Sequence, residues 1–105
     1  MSRLPPIQIN PGIPVTFAPN PAVGQVGDNA FWFNNTNKSC QIVQIVNDQP
    51  SLDVPLTDLI LPNQSSNDIA LDNVGTFTYG ALVETSPGNL QWDGSQGSFI
   101  VNAQP

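Results

Sequence analysis

Proline occupies eleven of the 105 positions, and glycine another eight. Proline lacks a backbone N–H and clashes with the preceding turn of a helix. Its spacing here therefore leaves runs too short for helices of ordinary length. The readable runs alternate with period two, the spacing of a half-buried strand. Ile7 and Ile9 alternate, as do Val15 and Phe17. NAFWFNN (29–35) and CQIVQIV (40–46) are rich in aromatic and β-branched residues, and DIALD (68–72), TFTYGAL (76–82) and SFIVN (98–102) follow. Turn-forming stretches, VGDN, NNTNKS, PNQSSN and DNVG, separate them. The pattern predicts an all-β sandwich of about seven to eight strands in one domain spanning 1–105. DQPSLDVPLTDLILP (48–62) reads as a loop with at most one helical turn at LTDLIL, because prolines 50, 55 and 62 forbid more.

Two basic residues, Arg3 and Lys38, stand against eight acidic ones, a net charge of −6. Nucleic-acid and anionic-membrane surfaces are built from clustered Lys and Arg, so neither partner is expected. A single cysteine excludes an intramolecular disulfide. MSRLPPIQINPG has no apolar run of the roughly 7–15 residues of a signal peptide, and no segment reaches the ~20 apolar residues of a membrane span. A cytoplasmic location is expected, and a mature secreted chain with an added Met is compatible with the same residues.

One ordered set of residues resembles a known family. Phe17-Ala18-Pro19, then Gly27-Asp28-Asn29-Ala30-Phe31-Trp32-Phe33-Asn34-Asn35, Leu61-Pro62, Gly75-Thr76-Phe77-Thr78-Tyr79 and Gly97-Ser98-Phe99-Ile100-Val101 resemble, in order and spacing, the plastocyanin-like cupredoxins. Ala30 stands where that family usually has Val. The resemblance implies a Greek-key β-sandwich and a copper held by two His, a Cys and an axial Met. Carried over by position, the first His falls on Cys40, the Cys on Ala81 and the Met on Ser95. The second His has no secure equivalent between Leu82 and Gly94, where Glu84 is the nearest polar residue. A chain without histidine cannot make the His₂Cys set that blue copper needs. No cofactor and no metal are expected.

The expected role is a copper-free binding or assembly module, not an enzyme. A Ser or Cys nucleophile needs a base within reach, and there is no His to serve. A carboxylate pair would need a cleft that a sandwich of this size offers poorly. Cys40 reads either as a small buried hydrophobe or, with nearby carboxylates, as the ligand of a metal-handling protein. Asp48, Asp53, Asp58, Asp68 and Asp72 do not follow an EF-hand pattern and read as solvated. The resemblance puts Ala30 and Trp32 in the core, which turns Phe31 and Phe33 to the opposite face. Their cover is either the insert, through Val54, Leu56, Leu59, Ile60 and Leu61, or a protein partner, with a homodimer favoured. Trp92 reads as a plug over the former metal site, or as an exposed platform for a sugar or peptide.

Overall fold

The computed structural model describes residues 3–104. Its strands are β1 (Ile7–Asn10), β2 (Thr16–Ala18), β3 (Ala22–Gln25), β4 (Asn29–Ala30), β5 (Trp32–Asn34), β6 (Cys40–Val46), β7 (Gln49–Pro50), β8 (Ile69–Ala70), β9 (Gly75–Ser86), β10 (Asn89–Trp92) and β11 (Gly97–Asn102). Three of the eleven have only two residues, which leaves eight of the expected length. The described residues contain no helix, so none is long and apolar enough to cross a membrane.

One sheet runs β2-β1-β5, and a larger one runs β3-β11-β9-β6-β7, with β10 also pairing to β9. β1 with β5 and β3 with β11 are parallel, and the other pairings are antiparallel. A parallel pair cannot be closed by a tight hairpin, and the chain passes between these two sheets three times, from β2 to β3, from β3 to β5 and from β5 to β6. Between the sheets lie Ile7, Ile9, Phe17 and Trp32 from one side and Ile42, Tyr79, Ala81, Phe99 and Val101 from the other, all buried. Tyr79 joins the two layers, meeting Phe17 edge-on at 4.8 Å and Trp32 edge-on at 5.2 Å between ring centroids.

The insert forms no helical turn; it lies along the free edge of β6. Leu56 N–H donates to the Ile42 carbonyl (2.9 Å), while Ile60 and Cys40 exchange backbone bonds of 2.7 and 3.0 Å. Residues 63–66 then cover the free edge of β5. There Ser66 N–H donates to Trp32 O (2.7 Å) and Asn63 N–H to Asn34 O (2.8 Å). Two edges that would otherwise expose unpaired backbone are closed in this way. The pairing draws Ile60 into the core, at 1% exposure, and turns Leu52, Val54, Leu59 and Leu61 outward.

Candidate functional site

Asn34 shares the inward phase of β5 with Trp32, and both are wholly buried. The Asn34 amide donates to the carbonyls of Lys38 (2.7 Å) and Ile60 (2.9 Å). Its Oδ1 accepts the Thr36 N–H (3.0 Å) and the Thr36 hydroxyl (2.7 Å). These bonds use both donors and both lone pairs of the side chain. They pin the 34–38 loop against the sandwich and set Cys40 at the start of β6.

Cys40 is fully buried. Its thiol donates to the Lys38 carbonyl at 3.6 Å, and the Thr36 hydroxyl lies 3.9 Å from the sulfur. Burial pushes the thiol pKa above its ordinary value; the Thr36 contact opposes this and the negative charge of Asp93 adds to it. The thiolate is the form that attacks electrophiles and binds metals, so a thiol kept protonated in this setting is chemically quiet.

Ala81 and Ser95, both buried, meet directly: the Ala81 N–H donates to Ser95 Oγ at 2.9 Å. Ser95 N–H donates to Asp93 Oδ1 (2.9 Å), and its carbonyl accepts the Trp92 indole N–H (2.8 Å). Asp93 Oδ2 accepts the Val15 N–H (2.9 Å), which ties this loop to the β1–β2 connection. Gly80 is what admits so close an approach. A Cβ at that position would collide with the Ser95 carbonyl oxygen and lie 2.7 Å from Trp92 Nε1.

Of the three carried-over positions, the fold brings Ala81 and Ser95 into contact. Cys40 lies on the same sheet face, opposite Val83, one inward pair beyond Ile42 and Ala81. Glu84 is elsewhere, accepting the Gly88 N–H (3.2 Å) at the tip of the β9–β10 hairpin. A thiol, a methyl group and a hydroxyl already holding a backbone N–H do not fit a blue-copper centre. Among the described residues no three Cys, Asp or Glu side chains gather as a metal site. Beside this pole a cleft of about 440 Å³ opens between Pro11, Ile13 and Val15 on one side and Val83, Gln91 and Asp93 on the other. Cys40 is not part of its wall.

One expectation changes. Phe31 does point away from Trp32, yet it is 8% exposed. Its cover is Arg3, whose guanidinium sits 3.7 Å from the ring centroid and pairs with Asp68 at 3.0 Å. Phe33 is half-buried, opposite Ser65. Of the insert residues weighed as cover, Leu56 and Ile60 pack in the core, and Val54, Leu59 and Leu61 are exposed. Trp92, half-buried, packs with Val43, Ile45, Leu82 and Leu90 on the outer face of the larger sheet. Its indole N–H is held by the Ser95 carbonyl, and the residue also lines the cleft beside Asp93. Sequence reasoning missed Thr36 and Asp93 as organisers of the site. The signal for Asp93 is the Asp-Gly-Ser run, in which an Asp accepts the N–H two residues on.

Searches against family models and against curated proteins each find no match. Among solved structures, the chain is similar to a purple cupredoxin from Nitrosopumilus maritimus. The two share 14% identity over 97% of this chain and 100% of that one, at a TM-score of 0.67. It is also similar to a mutant amicyanin in its reduced Cu(I) form at pH 4, at 13% identity over 92% and 82% of the two chains and a TM-score of 0.63. Likeness at this level of identity concerns the backbone, and the chain has the cupredoxin fold.

Proposed function

We propose that this chain of cupredoxin fold is a copper-free, non-enzymatic module that binds another protein through its insert. The observation that carries the reading is the outer side of residues 52–61. Leu52, Val54, Leu59 and Leu61 are exposed by 59%, 75%, 49% and 46% within ten residues. Large apolar side chains gathered on a surface mark interaction sites. Asp53 and Asp58, both exposed, lie among them. An apolar strip interrupted by acids, on a chain of net charge −6, complements an apolar groove rimmed by Lys and Arg. The copper-free part of the reading is supported by donor chemistry, since the Ser95 hydroxyl and the Ala81 N–H are engaged with each other.

The test compares wild type with a Leu52→Ser, Val54→Ser, Leu59→Ser variant as bait in its own cells. Proteins held by wild type and released by the variant, with a basic rim around an apolar groove, support the reading. Identical capture by both chains overturns the insert as the binding surface.

A further inference from the structure

A sandwich displays its sheet edges, and most edges here are blunted. The insert covers β6 and residues 63–66 cover β5. β7 has two residues and ends on Pro50, and β2 lies between Pro14 and Pro19. β3 follows Pro21, and its last N–H, that of Gln25, donates to the Asp28 carboxylate at 3.0 Å. Such devices keep edge strands from pairing with other chains.

β10 has none of them. Asn89-Leu90-Gln91-Trp92 pairs with β9 on one side, and among the described residues nothing pairs with its backbone on the other. The strand contains no charge and no proline. Asn89 and Gln91 are exposed, while Leu90 and Trp92 are half-buried at the margin of the outer-face apolar cluster. We propose that this edge pairs antiparallel with the β10 edge of a second copy, joining two larger sheets into one and merging the two outer-face clusters across the two-fold axis.

Charge selects the partner. Two chains of net charge −6 repel across most orientations, but this edge brings neutral strand to neutral strand. Asp93, directly after the strand, has both carboxylate oxygens held by the Val15 and Ser95 N–H groups, and Glu84, on β9, folds onto the hairpin tip through Gly88 N–H. Across the joined sheet the two copies of β9 are three strand spacings apart, about 14 Å, beyond the screening length of about 8 Å at physiological salt. A four-residue ladder buries less than a standard interface of about 1,600 Å², so the dimer is weak and dissociates on dilution. The proposal goes beyond the insert reading and uses a different face.

Sedimentation velocity of the full chain from about 10 µM to about 1 mM, the range for a small interface, provides the test. The expected result is a sedimentation coefficient that rises with concentration towards a dimer. An Asn89→Lys, Gln91→Lys variant, both changes at exposed positions, is expected to raise the dissociation constant roughly tenfold or more by setting like charges across the new ladder. Amide exchange at Leu90 to Trp92 should slow with concentration in wild type only. A wild type that stays monomeric at the highest concentration overturns the proposal. So does association that the two lysines leave unchanged, and dimerisation lost instead in the Leu52→Ser, Val54→Ser, Leu59→Ser variant assigns the contact to the insert.

Discussion

Tyr79 sits at the centre of the core with no hydrogen-bond partner for its hydroxyl, and the nearby Trp32 indole N–H is likewise unpartnered. The indole leans towards the phenol, which favours the phenolate slightly, but burial dominates and holds the Tyr79 pKa well above its ordinary value. Cys40 is raised for the same first reason. Each group therefore keeps its proton to higher pH in the folded chain than in the unfolded one, where release occurs near about 8.5 for Cys and about 10 for Tyr. The stability linked to them is fully present below those values and lost as pH rises through the folded ones. A urea midpoint measured from pH 7 to 11 should stay level and then fall, with Cys40→Ala postponing the onset of the fall. A level midpoint through pH 11 would contradict this account. Gly97 clears the space for the phenol, since a Cβ there would lie 2.5 Å from the Tyr79 ring. Gly97→Ala should cost about 1–3 kcal/mol, typical of an overpacked core, and lower the melting temperature accordingly. Trp32→Ala, which empties the position facing Tyr79, should cost about 3–5 kcal/mol.

In the loop behind the β9–β10 hairpin, one hydrogen bond is decisive. Ser95→Ala leaves the Ala81 N–H buried without its acceptor, at a cost of about 1–3 kcal/mol. Thermal melts should register that loss, and hydrogen exchange should speed first at Ala81. Elements of this kind were only half legible in the sequence. The alternation of Ile7 with Ile9 and of Ala30 with Trp32 identified core strands because one face of each is buried. The reach of β9 to Ser86 was not expected, because Ser-Pro-Gly-Asn looks like a break in a loop while it is the two-residue turn of a hairpin whose Gly88 takes φ of +78°. The prolines limit the insert to a loop with at most one helical turn, and it has none, but its route is hidden: which apolar residues enter depends on backbone bonds to Ile42 and Cys40 that no local pattern encodes. The cover over Phe31 was hidden for a similar reason, since Arg3 lies 28 positions away in sequence.

For the molecule as a whole, the cupredoxin fold and the site chemistry point in different directions. The backbone resembles copper proteins at TM-scores of 0.63 and 0.67, while the pole holds a protonated thiol, a methyl group and a hydrogen-bonded hydroxyl. Addition of Cu(II) should therefore give no intense charge-transfer band near about 600 nm of the thiolate-to-copper kind; an absorption of that strength would reverse the positional assignment. The insert has a separate effect on how the molecule tolerates damage. Its residues 56–66 are laced to β6 of one sheet and to β5 of the other, whereas 52–55 are exposed between the bonds of Ser51 to Gln44 and Leu56 to Ile42. Chymotrypsin should nick the folded chain after Leu52, since exposed, unbonded backbone is where proteases act. The two pieces should then migrate together on a native gel and separate under denaturing conditions, so that expressing them apart and mixing them rebuilds the sandwich from complementary halves.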